Sequence, residues 1–272
     1  MKRIGVLTSG GDTPGMNAAI RAVFKTGVDI DLQVMGIYHG YKGLIEGRVG
    51  YLAHADVESK MHKGGTILRT ARSEEFKTEG GIEKAISVLR AYEIEGLIVI
   101  GGDGSFKGAD ALSKRGIPVI GIPGTIDNDM GYTDFTIGFD TAVNNVMNEI
   151  YKIRDTMRAH DRVGVIEVMG RRCGDIALWA GVAGAADIIL VPERPLSWAD
   201  AANRLAANKL RGQLTSIVMI AEGAGKAEDF IRLFQIKGVD AGLAASIFHF
   251  KEVDIRDLKK LLSENGVPVR LV

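Results

Sequence analysis

Short apolar runs alternate along this chain with stretches whose apolar residues recur at steps of three and four. The runs Arg3–Thr8, Leu32–Tyr38, Gly96–Ile100, Ile117–Ile122, Val163–Val168, Ile188–Val191 and Ser216–Ala221 are apolar or β-branched almost throughout. That is the pattern of strands buried on both faces of a parallel sheet. The clearest helical stripe is Phe139, Ala142, Val143, Val146, Met147, Ile150 and Ile153. Later, Ala227, Phe230, Leu233 and Phe234 form a second stripe, and Val239–Ser246 reads as a strand. Asp254 is a candidate N-cap for a last helix that turns Ile255, Leu258, Leu261 and Leu262 inward and ends at Gly266. Alternating β and α predicts an α/β fold of two doubly wound parallel-sheet (Rossmann-like) domains with right-handed crossovers. The boundary is set at the long helix near Phe139, which follows the most irregular loop, giving domains 1–138 and 139–272.

Composition narrows the function classes. With 46% hydrophobic and 25% charged residues in 272, the chain is globular; disorder, collagen-like repeats and coiled coil are excluded. A formal net charge of +0 argues against binding nucleic acid or an anionic membrane through the overall field, while leaving room for a local basic pocket. One cysteine, Cys173, leaves no internal disulfide, which suits a reducing compartment. Ile4–Thr8 is too short for a signal core and no stretch reaches the ~18 apolar residues of a membrane span, so a soluble, cytoplasmic protein is expected. The 35 glycines against 6 prolines point to many tight turns.

Two segments repeat strand, Gly-Gly-Asp, helix: Ser9-Gly10-Gly11-Asp12 and Gly101-Gly102-Asp103-Gly104-Ser105. Ligands of open α/β sheets sit at the carboxyl ends of strands, where both loops fall. Glycines let backbone approach a phosphate, and the next helix offers free N–H groups with a positive dipole end. The bland alternative for either loop is a strand terminator. Pro123-Gly124-Thr125-Ile126-Asp127-Asn128-Asp129 follows another strand. If extended, it directs Thr125, Asp127 and Asp129 the same way. One carboxylate can take a hydroxyl proton and another can hold Mg²⁺ through water, the equipment of phosphoryl transfer. An Asx-rich turn is the competing explanation.

Through about residue 222 the chain closely resembles the bacterial ATP-dependent 6-phosphofructokinase family. The resemblance rests on Gly5–Asp12, Gly64-Gly65-Thr66, Gly101–Ser105, Pro123–Asp129 and Glu167-Val168-Met169-Gly170-Arg171. It implies Asp127 as base for the sugar 1-hydroxyl, a weak base adequate where the proton moves late. It implies Asp103 as the Mg²⁺ carboxylate with Asp129 in support, and Gly11 and Arg72 on the transferring phosphates. Thr125 would orient those phosphates and Arg171 would add positive charge near the acceptor. Gly102, Asp103, Gly104, Ser105, Gly108 and Tyr41 would line ATP. Gly104 and Gly124 look like the ATP-using form, since pyrophosphate-using relatives carry Asp and Lys there. Met169, Gly170 and Glu222 match acceptor positions, and Arg162 an arginine lent by a neighbouring subunit of a tetramer. ATP, Mg²⁺ and fructose 6-phosphate are the implied small molecules; nucleic acid and membrane are not partners.

Arg21, Lys25, Arg154 and Arg211 match cationic positions of the family's effector site. Lys25 stands for the usual arginine, and Gln213 and Leu214 for the usual lysines, so weaker effector binding is expected. Past Glu222 the family's His-x-Gln-Arg-Gly-Gly-x-Pro pattern is absent, and His249 does not replace it. Gly223-Ala224-Gly225-Lys226, Gly238–Phe250 and Asp254–Leu271 instead resemble the C-terminus of the cyclase subunit of imidazole glycerol phosphate synthase. On that reading the chain is a chimera, its second domain completed by a barrel-derived helix–strand–helix tail over 223–272. Gly223, Ala245 and Ser246 would then match a phosphate site. The tail extends the second sheet but leaves the first domain short of covering helices, so apolar surface is expected there. The expected activity is 6-phosphofructokinase, weakened by a half-complete acceptor site; the alternative is an inactive chimeric scaffold that still binds nucleotide.

Overall fold

The computed structural model of this chain describes residues 2–222, 230–231, 234–235, 239–243 and 253–270. They divide into two compact units: Met1–Ile126 with Met130–Asp140, and Asp127–Asp129 with Thr141–Val272.

The first unit runs β1 (Arg3–Thr8), α1 (Met16–Asp29), β2 (Gln33–Ile37), α2 (Gly40–Ile45), β3 (Val49–Tyr51) and α3 (His54–Val57). A 3₁₀ turn at Glu75–Lys77 leads to α4 (Glu79–Ala91), β4 (Gly96–Gly101), α5 (Asp103–Ser113), β5 (Val119–Thr125) and β6 (Ile137–Gly138). The sheet order is β3-β2-β1-β4-β5-β6, parallel except where β2 meets β3. The chain winds outward from β1 to β3, then restarts on the other side at β4. The switch point therefore lies between β1 and β4, where open α/β sheets form their ligand crevice.

Alternate residues feed two cores. Leu7, Met35, Ile37, Leu97 and Val99 pack with Tyr41, Leu44, Ile86, Leu89 and Leu112 from α2, α4 and α5. Ile4, Val6, Val34 and Ile100 pack with Met16, Ile20 and Phe24 of α1 and with Leu68. The second face runs out of cover toward β5. Ile120 is 65% exposed and its parallel neighbour Ile98 only half-buried, so the expected apolar exposure is present.

The second unit contains most of α6 (Phe139–Ala159), then β7 (Val163–Val168), α7 (Asp175–Ala183), β8 (Ile188–Leu190), α8 (Trp198–Leu210), β9 (Ser216–Ala221), β10 (Val239–Leu243) and α9 (Ile255–Glu264). Its sheet is parallel throughout, in the order β10-β7-β9-β8. β10 extends the sheet beside β7, as expected of the tail. Phe234 packs against both the β7–β9 core and the cluster of Leu258, Leu262 and Val267, so the described tail residues share the unit's interior.

The α6 stripe is borne out, with Phe139, Ile150 and Met157 buried and Ala142, Val143, Val146, Met147 and Ile153 half-buried. Asp254 caps α9, accepting from the Arg256 amide at 2.7 Å. Leu258 and Leu262 turn inward, but Ile255 is 53% exposed, because it sits in the first turn on the outer side of that face. β3 and β6 add strands that no apolar run predicts, being three and two residues long. β5 begins two residues later than its apolar run and continues through Pro123-Gly124 into Thr125. Ala227, Leu233, Gly223, Ala245, Ser246 and His249 lie outside the described residues. No helix among the described residues is long and apolar enough to cross a membrane.

Candidate functional site

Both glycine loops leave strands that flank the switch point. Ser9–Asp12 follows β1, and Gly102–Ser105 follows β4 and opens α5. They are tied to each other. The Ser9 amide donates to Ile100 O at 3.0 Å, and Ser105 Oγ donates to Ser9 O at 2.9 Å. A Cβ at Gly101 would fall 2.4 Å from both Ser105 Oγ and Ser9 O, so only glycine lets the two loops close this far. Gly11 by contrast faces open space, and a Cβ added at Gly102 would lie 3.6 Å from Thr125 Cβ, an ordinary contact. Gly102 caps α5 without a side-chain acceptor, so the positive dipole end of that helix lies at the second glycine loop.

Tyr41 and Ser105 are buried at 6% and 3% exposure, so they support the loops from behind rather than forming open wall. The Tyr41 hydroxyl donates to Ser105 O at 2.5 Å, its ring stacks on Phe76 at 4.1 Å, and burial pushes the phenol well above its ordinary pKa. Gly108 is where α5 touches that ring. Asp103, the first residue of α5, pairs with Lys107 at 2.8 Å and keeps a half-exposed carboxylate. Arg72 is exposed, in an irregular segment after Gly64-Gly65-Thr66. Thr125 ends β5 and accepts the Thr136 hydroxyl on its carbonyl at 2.6 Å.

In the second unit, a turn after β7 and the end of β9 meet. Glu222 Oε2 accepts from the amides of Gly170 at 3.1 Å and Arg171 at 2.8 Å, while the Glu222 amide donates to Val168 O at 2.9 Å. Gly170 has φ of +149° and a Cβ there would strike Cys173 O at 2.4 Å, so glycine is required. Arg171 approaches Asp129 at 3.7 Å. Asn128 donates to Asp175 at 2.8 Å. Glu222, Gly170, Arg171 and Asp129 are thus brought together, with Met169 exposed beside them. Arg162 is exposed at the entrance to β7.

The extended run anticipated for Thr125 to Asp129 does not form. β5 stops at Thr125, and Asn128 takes a left-handed conformation at φ of +55°, which breaks strict alternation between Asp127 and Asp129. The buried polar roles of Ser9, Thr8 and Asn17 leave no sequence signal, since their partners lie far away in the chain.

The effector positions are partly engaged internally. Lys25 and Arg21 pair with Glu58 at 2.9 and 3.9 Å. Arg154 donates to the carbonyls of Gly184 and Ala185, its Nε is buried without a partner, and it lines a cavity of about 90 Å³ with Arg158, Asp187 and Gln213. Arg211 is exposed at the end of α8.

A family model described as Phosphofructokinase matches residues 3–266. This chain belongs to the phosphofructokinase family. The match continues past Glu222, where the motif resemblance stops. ATP-dependent 6-phosphofructokinase of Clostridium novyi is 55% identical over 235 residues, covering 86% of this chain and 74% of that protein. The Clostridium tetani protein of the same name is 53% identical over 247 residues, 91% of this chain and 77% of its own length. Among solved structures, Pichia pastoris phosphofructokinase in the T-state superposes with a TM-score of 0.79 at 34% identity, over 100% of this chain and 29% of that one.

Proposed function

We infer that this phosphofructokinase-family chain is a kinase, an ATP-dependent 6-phosphofructokinase that moves a phosphoryl group from ATP to the 1-hydroxyl of fructose 6-phosphate. The observation that carries the reading is the pair of glycine loops locked together at the β1–β4 switch point beside an uncapped helix start. That arrangement suits a polyphosphate, since backbone amides and the helix dipole both favour anionic oxygens.

Gly11 and Gly102–Gly104 would hold the nucleotide, braced by Ser105, with Arg72 on its phosphates. Asp127 would accept the acceptor hydroxyl's proton, Thr125 would orient the phosphates, and Arg171 would stabilise spreading charge on the phosphoryl oxygens. Glu222 organises the Gly170–Arg171 turn that, with Met169, would receive the sugar. Gly104 and Gly124 favour ATP over pyrophosphate as donor.

Among the described residues no cluster of three or more His, Cys, Asp or Glu forms a closed metal cage. Mg²⁺ does not need one: it binds through one or two carboxylates, phosphates and waters. The half-exposed Asp103 carboxylate fits that role, with Asp129 in support. Mg²⁺ bound there would neutralise charge on the phosphates.

A cytoplasmic homotetramer in which Arg162 reaches a neighbour's acceptor site, and a residual effector site at Arg21, Lys25, Arg154 and Arg211, belong to the same proposal. So do weakened sugar affinity and a cyclase-like origin for 223–272. The tail's origin rests on its motifs alone, whereas the family match through residue 266 supports a phosphofructokinase reading of that stretch. The test is ADP release from Mg-ATP with and without fructose 6-phosphate. Sugar-dependent release supports the reading; its absence in folded protein that binds ATP supports an inactive scaffold.

A further inference from the structure

Gly64-Gly65-Thr66 has no part in the scheme above, although it helps carry the family resemblance. It belongs to an irregular segment between α3 and the 3₁₀ turn, and that segment also carries Arg72. Two buried polar side chains hold it. Asn17 of α1, 2% exposed, uses both ends of its amide: Oδ1 accepts from the Ile67 amide at 2.8 Å, and Nδ2 donates to Lys63 O at 3.0 Å. Thr8, fully buried at the end of β1, donates its hydroxyl to Arg69 O at 3.0 Å. The Thr66 hydroxyl lies 3.0 Å from Thr8 Oγ1 and accepts from the Leu68 amide at 3.3 Å. Because the single Thr8 proton goes to Arg69 O, Thr66 is the donor in the Thr66–Thr8 pair.

The apolar side of the latch is Leu68, fully buried, whose carbonyl accepts from the His39 amide at 2.8 Å. Gly65 and Arg69 turn the backbone through the left-handed region at φ of +71° and +60°. The segment is therefore clamped at Lys63, Thr66, Ile67, Leu68 and Arg69, and the next three residues deliver Arg72. Both clamping residues flank the first glycine loop in sequence: Thr8 precedes Ser9–Asp12, and Asn17 follows it on α1.

We propose that Thr8 and Asn17 are positioning residues for phosphate recognition. They lock Lys63–Arg69 to β1 and α1, so that Arg72 is presented in register with the first glycine loop. The proposal rests on the reading of Arg72 as a phosphate contact. It assigns Gly64-Gly65-Thr66 a purpose: a hydroxyl at residue 66 completes the relay, and the glycine turn brings it to Thr8.

The experiment measures the affinity of a non-hydrolysable Mg-ATP analogue for the chain, Thr8→Val, Thr8→Ser, Arg72→Ala and the Thr8→Val/Arg72→Ala pair, together with trypsin cleavage after Arg69 and Arg72. Thr8→Val keeps the shape and removes the hydroxyl. It should weaken binding on the order of tenfold, about 1.4 kcal/mol, in line with losing a buried hydrogen bond. Thr8→Ser should restore binding. In the Arg72→Ala background Thr8→Val should cost nothing further, and in the otherwise unaltered chain it should speed cleavage in the segment selectively. Full additivity in the pair, or unchanged affinity and cleavage in Thr8→Val, would overturn the proposal. Arg72→Ala with undiminished affinity would instead refute the phosphate role of Arg72, and the proteolysis would still report whether the latch holds. Asn17→Asp, with two acceptors meeting at Lys63 O, should match Thr8→Val in both readouts.

Discussion

Helix α5 allows one substitution to be made in two environments. Gly104→Ala and Gly108→Ala each gain helix propensity, worth up to about 1 kcal/mol in a helix interior and less in the first turn. At Gly104 an added methyl meets nothing within 4 Å. At Gly108 it would stand 2.7 Å from two carbons of the Tyr41 ring and 2.9 Å from the hydroxyl. The ring cannot retreat freely. Phe76 stacks on it at 4.1 Å and Ser105 O holds its hydroxyl at 2.5 Å. Overpacking of this kind costs about 1–3 kcal/mol, and a strained or lost hydrogen bond adds about 0.5–1.5. Propensity offsets only part, so Gly108→Ala should destabilise by roughly 1–3 kcal/mol while Gly104→Ala is neutral or stabilising. Urea unfolding followed by circular dichroism measures both, and the comparison cancels most of the propensity gain. Equal stability of the two variants would show that Tyr41 is not fixed as described. Displacing Tyr41 also disturbs the Ser105 support of the loops, so Gly108→Ala should lose nucleotide affinity.

Two further outcomes are expected. Lys25, by hydrogen bond and charge, holds the Glu58 carboxyl below its ordinary value of 4.5, with Arg21 and His54 adding smaller pulls. A depressed folded-state value contributes stability above the ordinary value and loses it as pH falls through the depressed one. Glu58→Gln should therefore flatten the acid limb of stability against pH below about 4.5 and leave the slope near neutrality unchanged; an unaltered acid limb would refute the pairing. Ile120→Thr, on the uncovered face of β5, should reduce concentration-dependent association in light scattering with little change in unfolding midpoint. Undiminished association would exclude that face as its source.

Much of the frame was legible because buried parallel strands carry a strong local signal. β1, β7 and β9 lie where their apolar runs predict. β3 and β6 were not legible, since two or three residues cannot display a period. The bend at Asn128 was hidden for another reason: asparagine tolerates both extended and left-handed backbone, and tertiary contacts choose between them. In the site, the glycine loops announced themselves, but their fastening did not. Ser105 meets Ser9 across 96 positions, and Asn17 meets Lys63 and Ile67 across 46 and 50. Such polar pairs have no periodic trace in a chain. Tyr41 illustrates the limit most clearly, since resemblance puts it on the nucleotide and the structure uses it as a buried brace for Ser105.

The proposed function requires that this chain phosphorylate a sugar phosphate with Asp127 as the base. Phosphorus NMR of a mixture of the chain, Mg-ATP and fructose 6-phosphate tests it most directly, with Asp127→Asn run in parallel. A new phosphomonoester signal at the sugar 1-position is expected, growing in step with ADP and abolished or reduced by orders of magnitude in Asp127→Asn. Product formation that is undiminished in Asp127→Asn, or ADP released with no new sugar phosphate, would contradict it.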